Sequence, residues 1–200
     1  MTRWEPNARG RLELAALELY GERGYDQTTV AEIAKRAGLT ERTFFRHFAD
    51  KREVLFYGAG MLQDWLVQGI EDAPAGLPPI DAVGTSLEAV AGQLEERREM
   101  ASRRMAIVTA TPELQERELI KLANLSAALA VALRRRGVGD PAASLAAEAG
   151  VAVFRVAFQR WVGKDDGPGD PGGTDGRGGQ TLAQLIRDSL AELKSVAAGK

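Results

Sequence analysis

This sequence has few side chains that could act in catalysis, and the charged and aromatic residues that cluster in it favour binding. The 200 residues include one histidine and no cysteine. They therefore provide no thiol nucleophile, no zinc-binding cysteine cluster and no catalytic triad other than one built on His47. The sequence indicates no serine or cysteine partner for that histidine. We expect a protein that is not an enzyme and that needs no metal or cofactor.

The basic residues are concentrated in one short segment. The whole chain has 26 basic and 28 acidic residues, a formal charge of −2. Residues 35–52 contain six basic and two acidic residues, so this segment carries +4 and the remainder carries −6. Such a segment inside an acidic body is typical of a small DNA-reading module joined to an acidic partner domain. The alternative is a solvated helix face whose charge fluctuates.

The elements that must position this segment are short helices. The spacing of apolar residues predicts a first helix near residues 7–23, and Gly24 closes it. Its apolar stripe consists of Leu12, Ala15, Ala16, Leu19 and Tyr20. Thr29 and Glu32 form a capping box, which predicts that a second helix begins there and runs to Gly38.

A third helix, capped by Thr40, ends near residue 47, and the tight turn 37–39 joins it to the second helix as a helix-turn-helix. We expect an inward face formed by Ile33, Ala34, Leu39, Phe44 and Phe48. The outward face is formed by Arg42, Thr43, Phe45, Arg46 and His47. An exposed helix with these residue types can enter a DNA major groove. The alternative is a plain helical hairpin in which all three phenylalanines belong to the core.

The rest of the chain also follows a helical period, which predicts an all-α protein. A capping box at Asp50 predicts one long helix that continues to Ile70. The Pro/Gly-rich residues 73–79 break it, and Thr111-Pro112 and Asp140-Pro141 each start a further helix. Residues 163–179 form a loop, and Thr181 caps a final helix.

The run from Tyr25 to Phe48, with Lys51 and Leu55, resembles the DNA-binding domain of the TetR family of bacterial transcriptional regulators. The resemblance implies an all-α homodimer. Residues 1–50 would form a three-helix DNA-binding domain with a helix-turn-helix. Residues 51–200 would form a larger helical domain for effector binding and dimerisation.

The same resemblance implies which residues contact DNA. Thr28 and Thr29 would contact phosphate at the start of the second helix, where the helix dipole favours anions. Arg42 and Thr43 would read bases or contact phosphate. Phe45 stands where many members have tyrosine, so it keeps an apolar contact but lacks a hydroxyl. The remaining positions implied as DNA contacts are Arg46, His47 and Lys51.

Apolar residues of the second half could enclose an effector. The candidates for a ligand-binding wall are Trp65, Leu66, Leu94, Met105, Ile107, Leu122, Leu125, Phe154, Phe158 and Trp161. The alternative is that each of them is ordinary core. Arg103 or Arg104 could meet an anionic group, although Glu99 offers Arg103 a surface pair. Residues 42–48 and 103–121 look similar to a TetR subgroup with acyl-CoA-like ligands.

Two helices are expected at a dimer interface. The helix 141–162 is apolar nearly all round, which implies a second buried face. The helix 181–197 has an apolar stripe of Leu182, Ile186 and Leu190, and two such helices from each subunit could form a four-helix bundle. The alternative is a monomer in which the loop 163–179 folds the last helix over that face.

These features favour a repressor that binds a palindromic double-stranded DNA operator as a homodimer and is released by a small apolar or acyl-type effector, such as a fatty acyl group or acyl-CoA. The alternative is a DNA-binding dimer with a solid C-terminal core and no ligand response. The N-terminus lacks the apolar run of a signal peptide, and no stretch of about 18 residues lacks a charge. We therefore expect a cytoplasmic protein without a membrane partner.

Overall fold

The computed structural model describes residues 8–163 and 180–199. Within them the chain forms α-helices and one 3₁₀ helix, Glu53–Phe56, and no strand, which confirms the all-α fold. The α-helices are α1 (Ala8–Arg23), α2 (Val30–Arg36), α3 (Glu41–His47), α4 (Ala59–Glu71), α5 (Pro79–Glu95), α6 (Arg98–Ala110), α7 (Pro112–Arg135), α8 (Asp140–Val162) and α9 (Leu182–Ala197). Of the loop expected over 163–179, residues 164–179 lie outside the described residues.

Local capping chemistry fixes the ends of α1, α2 and α3. The Thr29 hydroxyl accepts from the Glu32 amide, and the Glu32 carboxylate accepts from the Thr29 amide at 2.9 Å. Gly24 and Gly38 both have positive φ, at 85° and 65°, where a side chain would be strained. The Thr40 hydroxyl accepts from the third amide of α3 at 3.2 Å. The sequence predictions for these three helices are confirmed.

The prediction of one long helix from Asp50 to Ile70 is wrong. The Asp50 carboxylate does accept from the amides of Arg52 and Glu53. The helix that follows is only the 3₁₀ helix, and α4 starts afresh at Ala59. Gly58 lies between the two helices, and its low helix propensity favours the interruption there.

The expected cap at Asp140 also needs correction. The N-cap is Gly139, and it makes no side-chain cap bond. Asp140 is the first helical residue, and its carboxylate pairs with Arg134.

The described residues form two compact units. Unit 1 holds the residues up to Gly60 together with Met100–Glu118, and unit 2 holds Met61–Glu99 and the residues from Leu119 onward. The boundary expected after residue 50 separates a DNA-binding part from an effector-binding part. The two packing units do not follow this division, so the functional boundary stays a prediction.

The core of unit 1 is built from the inward faces of α1, α2 and α3, the 3₁₀ helix and parts of α6 and α7. Its fully buried residues include Leu12, Ala16, Ile33, Phe44, Val54 and Leu114. Since α3 is only seven residues long, Phe44 is the side chain that anchors it in this core. The core therefore supports the helix-turn-helix from one side.

Unit 2 is centred on α5, α8 and α9, which pack on one another. Glycines allow this close approach: a Cβ on Gly84 would lie 2.5 Å from Leu190, and one on Gly150 would lie 2.3 Å from Val83. Trp161 is fully buried and donates from Nε1 to Glu95 at 3.3 Å. Among the described helices, α8 alone is long and apolar enough to cross a membrane by length and composition, and core helices pass the same test.

The apolar stripe of α9 does not face outward as expected for a dimer contact. Leu182 and Ile186 are fully buried within unit 2, and Leu190 packs on Gly84 of α5. The stripe seals the core of unit 2 because it is the one strongly apolar face of α9. The contact of α9 with α8 within one chain is common to the monomer alternative and to a four-helix bundle formed by two copies.

Candidate nucleic-acid interface

The two faces of α3 differ sharply in burial. Phe44 is fully buried and Phe48 is 6% exposed, whereas Phe45 is 55% exposed. Arg42 and Arg46 are also exposed on the outer face. The hairpin alternative required all three phenylalanines in the core, so the structure excludes it. The outer face of α3 offers an apolar ring between two cations.

The basic segment is only partly available to a partner. Arg36 pairs with Glu18 and Glu22 of α1 at 3.0 and 2.9 Å. Arg52 pairs with Asp50 at 2.6 Å and with Glu113 at 3.2 Å. These ion pairs neutralise part of the +4. In the parts of the chain that the structure describes, Lys35, Arg42 and Arg46 have no ion-pair partner.

The two threonines at the start of α2 have different surroundings. Thr29 is exposed, and its hydroxyl is 2.9 Å from Glu32 Oε2, so the cap already engages it. Its phosphate contact stays a prediction.

Thr28 needs correction. The residue is 1% exposed, and its hydroxyl donates to the carbonyl oxygen of Gly24 at 2.9 Å. Its amide donates to Tyr25 at 3.2 Å. Because both polar groups point into unit 1, Thr28 supports the loop before α2 and offers no group to a phosphate.

Thr43 lies half-buried at the start of α3. Its hydroxyl is 3.0 Å from the hydroxyl of Thr40, and its amide donates to the same oxygen at 3.2 Å. This arrangement fixes the side chain beside the cap. Its role as a base or phosphate contact stays a prediction.

Lys51 makes several contacts within unit 1. Its Nζ donates to the carbonyl oxygens of Tyr25 at 2.8 Å and Thr28 at 3.0 Å, with Asp26 at 3.5 Å. The phosphate contact expected of Lys51 competes with these hydrogen bonds and stays a prediction. Sequence reasoning missed the role of this lysine in holding the loop, because its acceptors lie more than 20 residues away.

His47 is half-buried on α3, and its Nε2 is buried with no hydrogen-bond partner among the described residues. Burial lowers the pKa of His47 below its ordinary value, and the charges of Arg46 and Arg9 lower it further. The imidazole is therefore neutral at pH 7. As a neutral ring it can donate one hydrogen bond to a phosphate but adds no charge.

The residues expected to line an effector pocket are divided between the two units. Arg103, Met105 and Ile107 belong to unit 1 and the other candidates to unit 2. In unit 2, the half-buried candidates are Leu94, Leu122 and Phe158, the buried ones are Leu66, Leu125, Phe154 and Trp161, and Trp65 is 38% exposed. The rings of Phe154 and Phe158 lie 5.5 Å apart. Their role as a pocket wall stays a prediction.

Arg104, the second arginine considered for an anionic ligand, is already engaged by protein partners. It donates to Glu118 and to the carbonyl oxygen of Leu55, both at 2.5 Å. Its guanidinium lies 4.8 Å from the Phe56 ring, and that of Arg117 lies 5.0 Å from the same ring. Arg117 also binds Glu53 at 2.9 Å. These contacts join the 3₁₀ helix to α6 and α7 within unit 1. No local sequence pattern predicts them.

A cleft of about 490 Å³ lies in unit 1. It is lined by the end of α1 and the loop after it, by the end of α6 and by the start of α7. Of the residues expected to line an effector pocket, Ile107 alone belongs to this lining.

Two known sequence families match the chain. Residues 14–57 match the family described as bacterial regulatory proteins, tetR family. Residues 77–197, more than half of the chain, match the family described as MftR C-terminal domain.

Individual transcriptional regulators are also similar to this chain in sequence. The HTH-type transcriptional regulator TcmR of Streptomyces glaucescens is 38% identical over 88 residues, which are 44% of this chain but only 39% of TcmR. The uncharacterized HTH-type transcriptional regulator Rv2250c of Mycobacterium tuberculosis is 30% identical over 132 residues, covering 64% of this chain and 68% of that protein.

The fold also has a solved counterpart. The crystal structure of Thermus thermophilus FadR, a TetR family transcriptional repressor in complex with lauroyl-CoA, matches with a TM-score of 0.53 at 22% identity. The match covers 94% of this chain and 93% of FadR. The sequence matches over both halves of the chain, together with this shared fold, show that it belongs to the TetR family of bacterial transcriptional regulators.

Proposed function

We propose that the chain is a repressor that binds a palindromic DNA operator through α3 as a homodimer. The observation that carries this proposal is the outer face of α3. Arg42, Phe45 and Arg46 are exposed there, while the buried Phe44 anchors the helix from behind. Arginine recognises guanine edges and the phenyl ring suits a thymine methyl group, so this face can read a major groove. A role in DNA binding implies a cytoplasmic location.

The dimer contact has support from α8. Leu145 and Val156 are 70% and 45% exposed, and Ala149 and Ala152 lie between them at helical spacing. This stripe is apolar and has small residues at its centre, which suits close packing of two copies about a twofold axis. We propose that helix 141–162 supplies the main contact and that helix 181–197 lies beside it.

We further propose that an apolar or acyl-type effector releases the DNA. FadR, which shares the fold, is described in complex with lauroyl-CoA. Unit 2 contains the aromatic pair Phe154 and Phe158, which can wall an acyl chain. An effector releases DNA only if it binds one conformation more tightly than the other. It should therefore raise thermal stability and lower operator affinity together.

A second candidate function has its own support. The glycine contacts at Gly84 and Gly150 bring α5 close to α9 and α8, as in a solid core. A DNA-binding dimer with such a core would act without an effector.

One experiment separates the two candidates. A fluorescent operator duplex is titrated with protein in the presence of lauric acid, lauroyl-CoA or coenzyme A alone, and melting temperature is recorded in parallel. Stabilisation together with release of DNA by the acylated compounds, and not by coenzyme A, supports the effector-responsive repressor. No stabilisation and unchanged DNA affinity support the solid core.

A further inference from the structure

The turn between α2 and α3 receives a side chain from α1. Arg11 donates from Nε to the carbonyl oxygen of Ala37 at 3.0 Å. Its Nη2 donates to the same oxygen and to the carbonyl oxygen of Gly38 at 3.3 Å. These carbonyls follow the last turn of α2, where helix geometry leaves acceptors without intrahelical donors. The planar guanidinium has donors in a fixed arrangement and can serve both oxygens.

The Arg11 guanidinium lies against Gly38, the residue of the turn that has no side chain. Gly38 has a φ of 65°, which side chains rarely adopt, and a Cβ placed on it would lie 2.9 Å from Arg11 Nη2. The amides of Gly38 and Leu39 donate back to Lys35 and Ala34, which closes the turn. Arg11 therefore occupies the space that a side chain at position 38 would need.

The turn leads directly into α3. The cap of α3, Thr40, follows Gly38 by two residues, and α3 itself has seven residues. Phe44 holds the middle of the helix, and the turn holds its amino end. A shift of the turn would tilt α3 about Phe44 and displace Arg42 and Thr43.

We propose that Arg11 is a positioning residue for base recognition, which acts by fixing the turn and thereby the angle of α3 in the major groove. This inference rests on the proposed DNA-binding function. Base contacts require side chains to be placed within a fraction of an ångström, whereas the attraction of phosphates for cations tolerates larger displacements. Removal of the Arg11 guanidinium therefore weakens discrimination between sequences more than it weakens general DNA affinity.

Arg36 provides a matched control. It also joins α2 to α1, but the hydrogen bonds of its guanidinium in the described structure go to Glu18 and Glu22 rather than to the carbonyl oxygens of the turn. If docking of α2 on α1 were all that mattered, substitution of either arginine would have the same effect.

The test compares wild type, Arg11→Met, Arg11→Lys and Arg36→Met. Each is titrated with a duplex selected by the wild type from a random pool and with a shuffled duplex of the same length. The ratio of the two dissociation constants should fall about tenfold in Arg11→Met, the size of one weakened base contact, while affinity for the shuffled duplex and its salt dependence stay unchanged. Arg11→Lys should keep part of the ratio because the ammonium still donates, and Arg36→Met should keep all of it.

The possible results distinguish a failure of the positioning role of Arg11 from a failure of the proposed DNA-binding function. A wild type without preference for the selected duplex contradicts both. A wild-type preference that Arg11→Met retains, or that Arg36→Met loses equally, contradicts the positioning role alone. If Arg11→Met does not fold, the Arg11→Lys variant provides the test. A folded lysine variant that keeps the full wild-type ratio of dissociation constants would contradict the positioning role, because one ammonium cannot reproduce the guanidinium's bonds to both carbonyl oxygens.

Discussion

Lys51 contacts Tyr25 twice: its Nζ donates to the Tyr25 carbonyl oxygen at 2.8 Å and lies 4.3 Å from the centre of the Tyr25 ring. The same ammonium donates to Thr28. Lys51 follows α3 in sequence, whereas Tyr25 and Thr28 precede α2. One side chain thus bridges residues 25 and 28 of the loop that leads into the helix-turn-helix.

Replacing Lys51 with methionine should destabilise unit 1. The methionine keeps an apolar stem but removes the ammonium that donates to the partly buried carbonyl oxygen of Thr28, and the Tyr25 carbonyl keeps only the Thr28 amide as a donor. An unsatisfied buried acceptor costs about 1–3 kcal/mol. Chemical denaturation followed by circular dichroism measures this destabilisation. Lys35→Met, at an exposed position of α2, is the control and should change the free energy of unfolding by no more than about 0.5 kcal/mol. Equal stability of the Lys51 variant and wild type would contradict the holding role.

The salt dependence of DNA binding tests the second role expected of Lys51. If its ammonium also binds a phosphate of the DNA, Lys51→Met should reduce the slope of log affinity against log salt by about one. An unchanged slope would assign the lysine to the loop alone.

Substituting Phe45 with tyrosine should tighten DNA binding. The ring is 55% exposed, so the added hydroxyl need not be buried, and it can bond to a phosphate. One such bond is worth about 0.5–1.5 kcal/mol, or roughly two- to tenfold in affinity. Fluorescence anisotropy titrations with the selected duplex measure the change, and Phe45→Leu serves as the apolar control. Unchanged or weaker binding by the tyrosine variant would place the ring away from the backbone.

Lower pH should strengthen DNA binding through His47. Its folded-state pKa lies below the ordinary 6.5, so the free protein carries a neutral imidazole at pH 7. A neighbouring phosphate would raise the pKa of the bound imidazole above that of the free protein, and binding would then take up a proton at pH values between the two. Titrations between pH 7.5 and pH 5.5 should show rising affinity that His47→Gln lacks. A parallel rise in both proteins would show that another group is responsible.

The same lowered pKa predicts an opposite trend for stability. Because the unfolded chain binds the proton more readily, the contribution of His47 to stability is complete above the unfolded pKa. It disappears as the pH falls from about 6.5 towards the folded pKa. Urea denaturation of wild type and His47→Gln over this range measures the difference. Equal pH dependence in the two proteins would contradict the lowered pKa.

The features that the sequence predicted correctly are those governed by local chemistry. Thr29 caps α2 with Glu32 because both residues lie within one turn, and Gly24 ends α1 because a positive φ is needed there. The alternation of buried Phe44 and exposed Phe45 also follows from the helical period.

The features that could not be predicted depend on partners distant in sequence. Arg11 binds Ala37 across 26 residues, and Arg104 binds Glu118 across 14. Leu190 was assigned to a dimer contact because its stripe is apolar, but the absence of a side chain on Gly84 lets it pack inside unit 2. An apolar stripe indicates burial without indicating which surface buries it.

The dimer proposal therefore predicts contrasting results for two arginine substitutions. Val156→Arg places a charge on the exposed stripe of α8 and should leave unit 2 folded while halving the mass of the species in solution. Leu190→Arg places a charge at a half-buried position in the contact with Gly84 and should destabilise unit 2 by about 1–3 kcal/mol. Sedimentation at micromolar concentration and circular dichroism distinguish the two effects. A wild-type species of 21.5 kDa, or a Val156→Arg protein that remains at twice that mass, would contradict this interface.

The central claim, that the outer face of α3 reads a palindromic operator, is tested most directly by selection of duplexes from a random DNA pool. The experiment uses the wild type and an Arg42→Ala, Phe45→Ala double variant, and sequencing follows each round. For the wild type, we predict two inverted half-sites with centres about 10 base pairs or more apart, bound at least about 1,000-fold more tightly than shuffled DNA. The double variant should lose the preference at the bases that these side chains meet. No enriched sequence with the wild type, or the same sequence enriched by the double variant, would contradict the claim.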